Sequence, residues 1–242
     1  MPSVSGKTYW IVGASEGLGQ DLARQMVAKG ADVILSARNR SRLDDLAAEL
    51  GPKARAIAMD IADPRSVAQA WAQIGRIDGL VFLAAVYWPQ RAQDWNAQQV
   101  VDMLDINLTG AARVLGHVVP DMVARDTGHI VLTSSLSGFR GLPGAVGYGA
   151  SKAGIMSLAE SMYYDLRKTG VRVQVVNPGF IKTRLTDKNE FKMPFIMTPD
   201  QAARLTLDHM ETTRFKRSFP RMFSWVFRAS QFFPDWLYYR VF

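Results

Sequence analysis

Thr8-Tyr9-Trp10-Ile11-Val12 runs without a break into Gly13-Ala14-Ser15-Glu16-Gly17-Leu18-Gly19, and residues 20–29 then carry their apolar side chains at helical spacing. A buried strand that turns through three glycines into a helix has a physical purpose. Glycine permits the tight turn and lets the backbone approach a pyrophosphate, and the helix starting near Gly17 aims free N–H groups and its positive dipole end at that group. The stretch predicts a dinucleotide-binding α/β fold, with Gly13, Ser15, Glu16, Gly17, Leu18 and Gly19 against the cofactor.

The same alternation continues downstream. Strand-length apolar runs at 32–36, 54–59, 79–84, 129–134 and 171–176 are separated by helical patterns over about 40–50, 64–73, 97–125 and 148–168. The strands read as continuous apolar runs, so both faces of the sheet are covered. Repeated strand–helix–strand units imply right-handed crossovers and a parallel sheet flanked by helices. Gly30, Gly51, Gly128 and Gly170 each follow a helical run, where a left-handed cap is wanted. With no linker and no repeat, residues 1–242 read as one doubly wound domain.

Composition narrows the function classes. The chain has 242 residues, 48% hydrophobic and 21% charged, with no cysteine. Disulfides, thiolate metal sites and cysteine nucleophiles are excluded. No stretch reaches the ~18 to 20 apolar residues of a spanning helix, and the N-terminus lacks a signal-peptide pattern. The expectation is a soluble, cytoplasmic protein. The 29 Lys and Arg against 22 Asp and Glu give a net charge of +7. That excess raises nucleic acid and anionic membranes as partners. No recognition motif supports nucleic acid.

The second strand ends Leu35-Ser36-Ala37-Arg38-Asn39. An acidic residue there would bond the ribose hydroxyls of NAD, whereas Arg38 can pair with a 2′-phosphate, so NADP is expected over NAD. In the second half, Tyr148-Gly149-Ala150-Ser151-Lys152 opens a helix and sets Tyr148 and Lys152 one turn apart on one face. Ser135 lies thirteen residues earlier, at the end of the fifth strand.

At these residues the chain resembles the short-chain dehydrogenase/reductase family. The glycine turn, Asp60 after the third strand, Asn107 in DINLTG, Ser135, YGASK and Asn177-Pro178-Gly179 follow the family's order between Lys7 and Thr183. The resemblance implies a Rossmann-type fold and interconversion of a carbonyl and a secondary alcohol. It makes Tyr148 the general acid or base, with Lys152 and the oxidised nicotinamide lowering a phenol that titrates near ~10. Ser135 would hold the substrate oxygen, and Asn107 would seat a water in a proton relay to Lys152. Asp60 and the backbone at Ile61 would meet the adenine. Pro178, Gly179, Ile181 and Thr183 would line the nicotinamide and its phosphate. The family also implies a homodimer or homotetramer. A cofactor-binding sensor or scaffold that has lost turnover is the alternative on the same fold.

Three departures from the family pattern stand out. Val12 replaces a threonine, and Phe82-Leu83-Ala84-Ala85 replaces Asn-Asn-Ala-Gly, leaving only backbone contacts at Ala84 and Ala85 for the cofactor. A glycine-rich ending is missing, and residues 214–220 are expected to supply a short strand instead. His117, His129 and His209 have no ligand spacing, so no metal is expected, and His129 reads as structural. Ser15 sits in a near match to Gly-x-Ser-x-Gly, but on the first strand and without a supporting histidine.

Two segments remain. Residues 183–200, polar to Glu190 and then Phe191-Lys192-Met193-Pro194-Phe195-Ile196-Met197, are expected to cover a lipophilic carbonyl substrate. Residues 214–242 hold 11 of the 25 aromatics, from Phe215 to Phe242. Pro220 is placed to start a helix and Pro234 to end it. Met222, Phe223, Val226, Phe227 and Phe233 form the expected apolar stripe, with Arg221, Ser224, Arg228 and Gln231 turned elsewhere. Two readings are open: a stripe packed on this chain or a partner subunit, or peripheral contact with a membrane interface.

Overall fold

The computed structural model describes residues 2–189 and 191–241, the last by its backbone. Glu190, in the expected substrate loop, and Phe242, the last tail aromatic, lie outside the described residues. Seven strands form one parallel sheet in the order β3-β2-β1-β4-β5-β6-β7. They are β1 (Thr8–Val12), β2 (Asp32–Ser36), β3 (Ala54–Ala56), β4 (Gly79–Phe82), β5 (Gly128–Thr133), β6 (Val171–Pro178) and β7 (Lys216–Phe219). The order reverses between β1 and β4, and there the carboxyl ends of the strands open a crevice.

Successive strand residues point to opposite faces, and each face is covered. On one side Trp10, Val12, Leu80 and Phe82 pack with α3 (Pro64–Ile74), α5 (Gly110–Ala124) and α6 (Val146–Leu166). On the other, Tyr9, Ile11, Leu35 and Val81 pack with α1 (Gly17–Ala28), α2 (Arg40–Leu50) and α7 (Pro199–Met210). Each fully buried aliphatic or aromatic side chain contributes roughly 1.5–3 kcal/mol. Phe82, where the family pattern expects an asparagine, is buried in this core. Nearby, the Trp10 indole donates to Ser36 Oγ (2.9 Å), which donates to the Ile57 carbonyl (2.8 Å), joining β1 and β2 to the residue just after β3.

Several boundaries differ from the sequence reading. β3 ends at Ala56, although the Ile57 and Met59 amides still bond to the carbonyls of Leu35 and Ala37. β4 likewise stops at Phe82. The stretch 97–125 divides into α4 (Ala97–Leu104), a π turn at Asp105–Thr109, and α5. His129 is structural in its contacts. Its Nδ1 meets the Tyr9 hydroxyl and its Nε2 meets Gln174 Oε1, both at 2.8 Å, and burial holds its pKa well below the ordinary imidazole value.

The tail corrects the expected stripe. β7 forms where residues 214–220 predict it, and α8 (Arg221–Ser230) follows, ending before Pro234, with α9 (Asp235–Val241) beyond. The buried face of α8 carries Ser224, Phe227 and Ser230, whereas Met222 and Val226 are exposed. The serines tolerate burial because each hydroxyl donates to a carbonyl three residues back, Ser224 to Arg221 and Ser230 to Phe227, both at 2.8 Å. Among the described residues no helix is long and apolar enough to cross a membrane.

Candidate active site

Two cavities meet at the carboxyl edge of the sheet. The first, of about 600 Å³, opens over the glycine turn, and the second, of about 780 Å³, extends toward α8. Ser135 and Tyr148 line both.

The floor of the first cavity is set by close packing. Gly13 has φ +96°, and a Cβ there would lie 2.6 Å from the Ala84 amide nitrogen. A Cβ on Gly19 would lie 2.1 Å from the Gly13 carbonyl oxygen. The turn therefore folds flat beneath α1 only with glycine. Ser15, Glu16, Gly17 and Leu18 complete this wall, and Asp60, Ile61, Ala84, Ala85, Pro178, Gly179, Ile181 and Thr183 surround the rest. Asp60 is held by its own turn, Oδ1 accepting from the Ala62 amide at 3.0 Å. The structure thus brings every sequence-derived cofactor candidate to one cavity, a cradle of backbone that added methyl groups would fill.

At the end of β2 stands an arginine cluster. Arg38 is exposed with no ion-pair partner among the described residues, while Arg42 and Arg184 each approach Glu16 Oε2 at 2.5 Å. A carboxylate beside a phosphate would repel it, and these two arginines offset the Glu16 charge. Arg42 and Arg184 were not read as candidates from sequence. Arg42, one turn beyond Arg38, carried a signal; Arg184 carried none.

α6 begins at Val146 and presents Tyr148 and Lys152 on one face, with Lys152 Nζ 5.6 Å from the Tyr148 ring centre. Lys152 is buried, and its Nζ donates to the Thr133 carbonyl at 2.9 Å. Ser134 Oγ donates to the Lys152 carbonyl at 2.7 Å, fixing α6 against the end of β5. Burial lowers Lys152 to about 8. Burial also pushes Tyr148 up to about 12, against the smaller downward pull of the Ser135 hydroxyl. Contrary to expectation, Lys152 does not lower the phenol in the protein alone: desolvation of the hydroxyl dominates, and the neighbouring Tyr87 adds to the rise.

Ser135 Oγ accepts from the Ser137 amide (3.2 Å) and from the Ser137 hydroxyl (3.0 Å), and its own proton reaches the Pro178 carbonyl only at 3.5 Å. That proton is the weakly engaged one. Asn107 lies apart from the cavities, fully buried in the π turn. Its Oδ1 accepts from the Val86 amide at 2.7 Å, and its Nδ2 donates to the Val86 carbonyl and to Ser151 Oγ, both at 3.0 Å. Its side chain fixes the loop after β4 to α6.

Sequence reading missed Tyr87. Its ring packs edge-on to Tyr148 at 4.9 Å, and its hydroxyl donates to Asn189 Oδ1 at 2.9 Å. Phe180, Phe191, Phe223 and Phe227 line the second cavity, along with Leu136 and Leu142. No group of three His, Asp or Glu among the described residues could hold a metal ion.

A doubly wound sheet with a glycine cradle and a serine–tyrosine–lysine group at the cavity junction defines a nucleotide-dependent oxidoreductase. The family model for short chain dehydrogenases matches residues 7–193, and the chain belongs to that family. It acts on the CH–OH/C=O couple with a nicotinamide cofactor. It is 36% identical to an uncharacterized oxidoreductase of Myxococcus xanthus, over 98% of this chain and 97% of that protein. A short-chain dehydrogenase from Sphingobium yanoikuyae in complex with NADPH superposes with a TM-score of 0.83 at 26% identity, covering 93% of this chain and 94% of that one. A Burkholderia cenocepacia relative at 22% identity shares the fold over 99% of this chain and 98% of its own, with a TM-score of 0.88.

Proposed function

We propose that this enzyme reduces a lipophilic ketone with NADPH, through Tyr148 as proton donor. The observation that carries the reading is the shared position of Ser135 and Tyr148 between a nucleotide-shaped cavity and an aromatic one. Arg38, Arg42 and Arg184 would take the 2′-phosphate, three cations against the single carboxylate of Glu16. The glycine turn would take the pyrophosphate, Asp60 and Ile61 the adenine, and Ala84, Ala85, Pro178, Gly179, Ile181 and Thr183 the nicotinamide half. The bound nucleotide supplies the hydride.

The chain's own residues handle the proton and the developing charge. Tyr148, at about 12, is a neutral phenol at pH 7 and is ready to give its proton to the carbonyl oxygen. Ser135 turns its weakly held proton to the same oxygen and stabilises the charge that forms there. Lys152 keeps two donors beyond its bond to Thr133, one for the nicotinamide ribose and one toward the phenol. Asn107 acts as a positioning residue that holds the loop at Val86, and a relay water beside it remains part of the proposal.

The substrate side is apolar where it is longest. Phe180, Phe191, Phe223 and Phe227 line it, and Leu185, Lys188 and Asn189 of the expected substrate loop line it too. The test is initial-rate measurement on short polar ketones and long-chain ketones, each with NADPH and NADH. The expected result is highest kcat/KM for the long-chain set with NADPH. Preference for the polar set would overturn the substrate assignment, and preference for NADH would overturn the cofactor assignment.

A further inference from the structure

The tail helix α8 is amphipathic in an unusual sense, because its outward face is apolar too. At 100° per residue, Met222, Trp225, Val226 and Ala229 fall within an arc of roughly 100°. Met222 is 75% exposed, Trp225 57% and Val226 50%. Phe232 and, on α9, Trp236 and Tyr239 extend this surface at 87%, 71% and 73% exposure. Across the cavity mouth, Phe195 and Ile196 are also exposed, and the Phe195 ring lies 5.7 Å from Phe223 of α8.

The charge on α8 has one sign. Arg221 and Arg228, seven residues apart, border the apolar arc, and Arg240 stands on α9. None of the three has a carboxylate partner among the described residues. From 214 to 242 the sequence holds one acidic residue, Asp235, which is bound to Arg140 at 2.5 Å. A second copy docked here by a two-fold axis would set this basic patch against an identical basic patch, with Asp235 the only acid of residues 214–242 on either side. An apolar belt of Met, Trp and Phe bordered by unpaired arginines instead matches the boundary between headgroups and acyl chains of an anionic bilayer.

We infer that the outer face of α8 and α9, with the tip of the 183–200 loop, is an interfacial docking surface for anionic lipid membranes. The inner face of the same helix carries Phe223 and Phe227 into the second cavity, so docking sets the cavity mouth against the bilayer. The surface stands without the substrate assignment above, and its test reads binding rather than turnover.

The test is flotation of the full chain with phosphatidylcholine vesicles and with vesicles that also contain phosphatidylglycerol. The expected result is recovery with the anionic vesicles at low salt, roughly tenfold or more above neutral vesicles, falling as salt is added. Replacing Met222, Trp225 and Val226 together by serine should remove that recovery while NADPH binding is retained. The Arg221→Gln/Arg228→Gln protein, with the apolar arc intact, should lose the preference for anionic lipid. Wild-type protein that stays unbound with both vesicle types would overturn the inference. So would concentration-dependent dimerisation that the triple serine variant abolishes without any vesicle binding, since the surface would then belong to a second copy.

Discussion

At Gly19 a single added methyl group would meet the Gly13 carbonyl oxygen at 2.1 Å, whereas Phe232, near the other end of the chain, is 87% exposed. The glycine turn borders the first cavity, and the tail reaches the second through Phe223 and Phe227. In the glycine turn, backbone presses on backbone, and every position is fixed by its neighbours. The tail is held by a few long side chains, and among the described residues much of its apolar surface is exposed. Only the inner face of the tail touches a cavity.

The largest expected effect comes from breaking the packed region. Gly19→Ala should destabilise the fold by ~2–3 kcal/mol and abolish measurable NADPH binding, read by chemical unfolding and by nucleotide fluorescence titration. Trp225→Ser, a change of far greater volume, should stay within about 0.5 kcal/mol of wild type because its side chain is exposed. If the two substitutions cost the same, the contrast between the regions fails.

A second effect acts through buried imidazoles beneath the sheet. Burial lowers His209 to about 4 and holds His129 well below its ordinary value. Below pH ~6.5 the unfolded chain takes up protons that the folded chain refuses, so stability falls with pH across that window. His209 alone should remove about 1–2 kcal/mol by pH 5. Urea unfolding at pH 7.5 and 5 should show this loss for wild type and a smaller one for His209→Gln.

The next effect sharpens the cofactor end. Arg38→Ala should weaken NADPH binding by roughly 10- to 100-fold and leave NADH within about threefold, as expected for one charge-assisted contact to a phosphate. Equal losses for both nucleotides would show that Arg38 does not meet the 2′-phosphate.

The smallest concerns the tail's attachment. Arg140, in the loop after Ser135, donates to the carbonyls of Ser230 (2.7 Å) and Phe233 (2.8 Å) and lies 3.9 Å from the Tyr238 ring centre. Tyr238 donates back to the Gly141 carbonyl at 2.6 Å. The exposed pairing with Asp235 adds little. Arg140→Ala should cost ~1 kcal/mol and raise KM for a bulky ketone a few-fold, with kcat nearly unchanged, because α8 carries Phe223 and Phe227 into the cavity.

These contrasts also explain what could be read from sequence. The glycine turn, Arg38, Ser135 and the Tyr148–Lys152 spacing are local patterns whose geometry follows from the strand or helix that bears them, and all of them line one cavity. Tyr87 and Arg140 act through partners about 60 to 100 positions away, which no local pattern records. On α8 both faces are apolar, so periodicity could not tell inside from outside. Two serines that satisfy themselves within the helix then reversed the expected face. Asn107 stands out in the sequence as a candidate, but its bonds to Val86 do not, since the π turn that aims it interrupts an otherwise regular helical pattern.

The central claim is that Tyr148 delivers the proton, and Tyr148→Phe tests it most directly at pH 7, where the phenol is neutral. Ketone reduction should fall by roughly 10²- to 10⁴-fold in kcat while NADPH affinity stays within about threefold. A Tyr148→Phe enzyme that turns over at nearly the wild-type rate would contradict it.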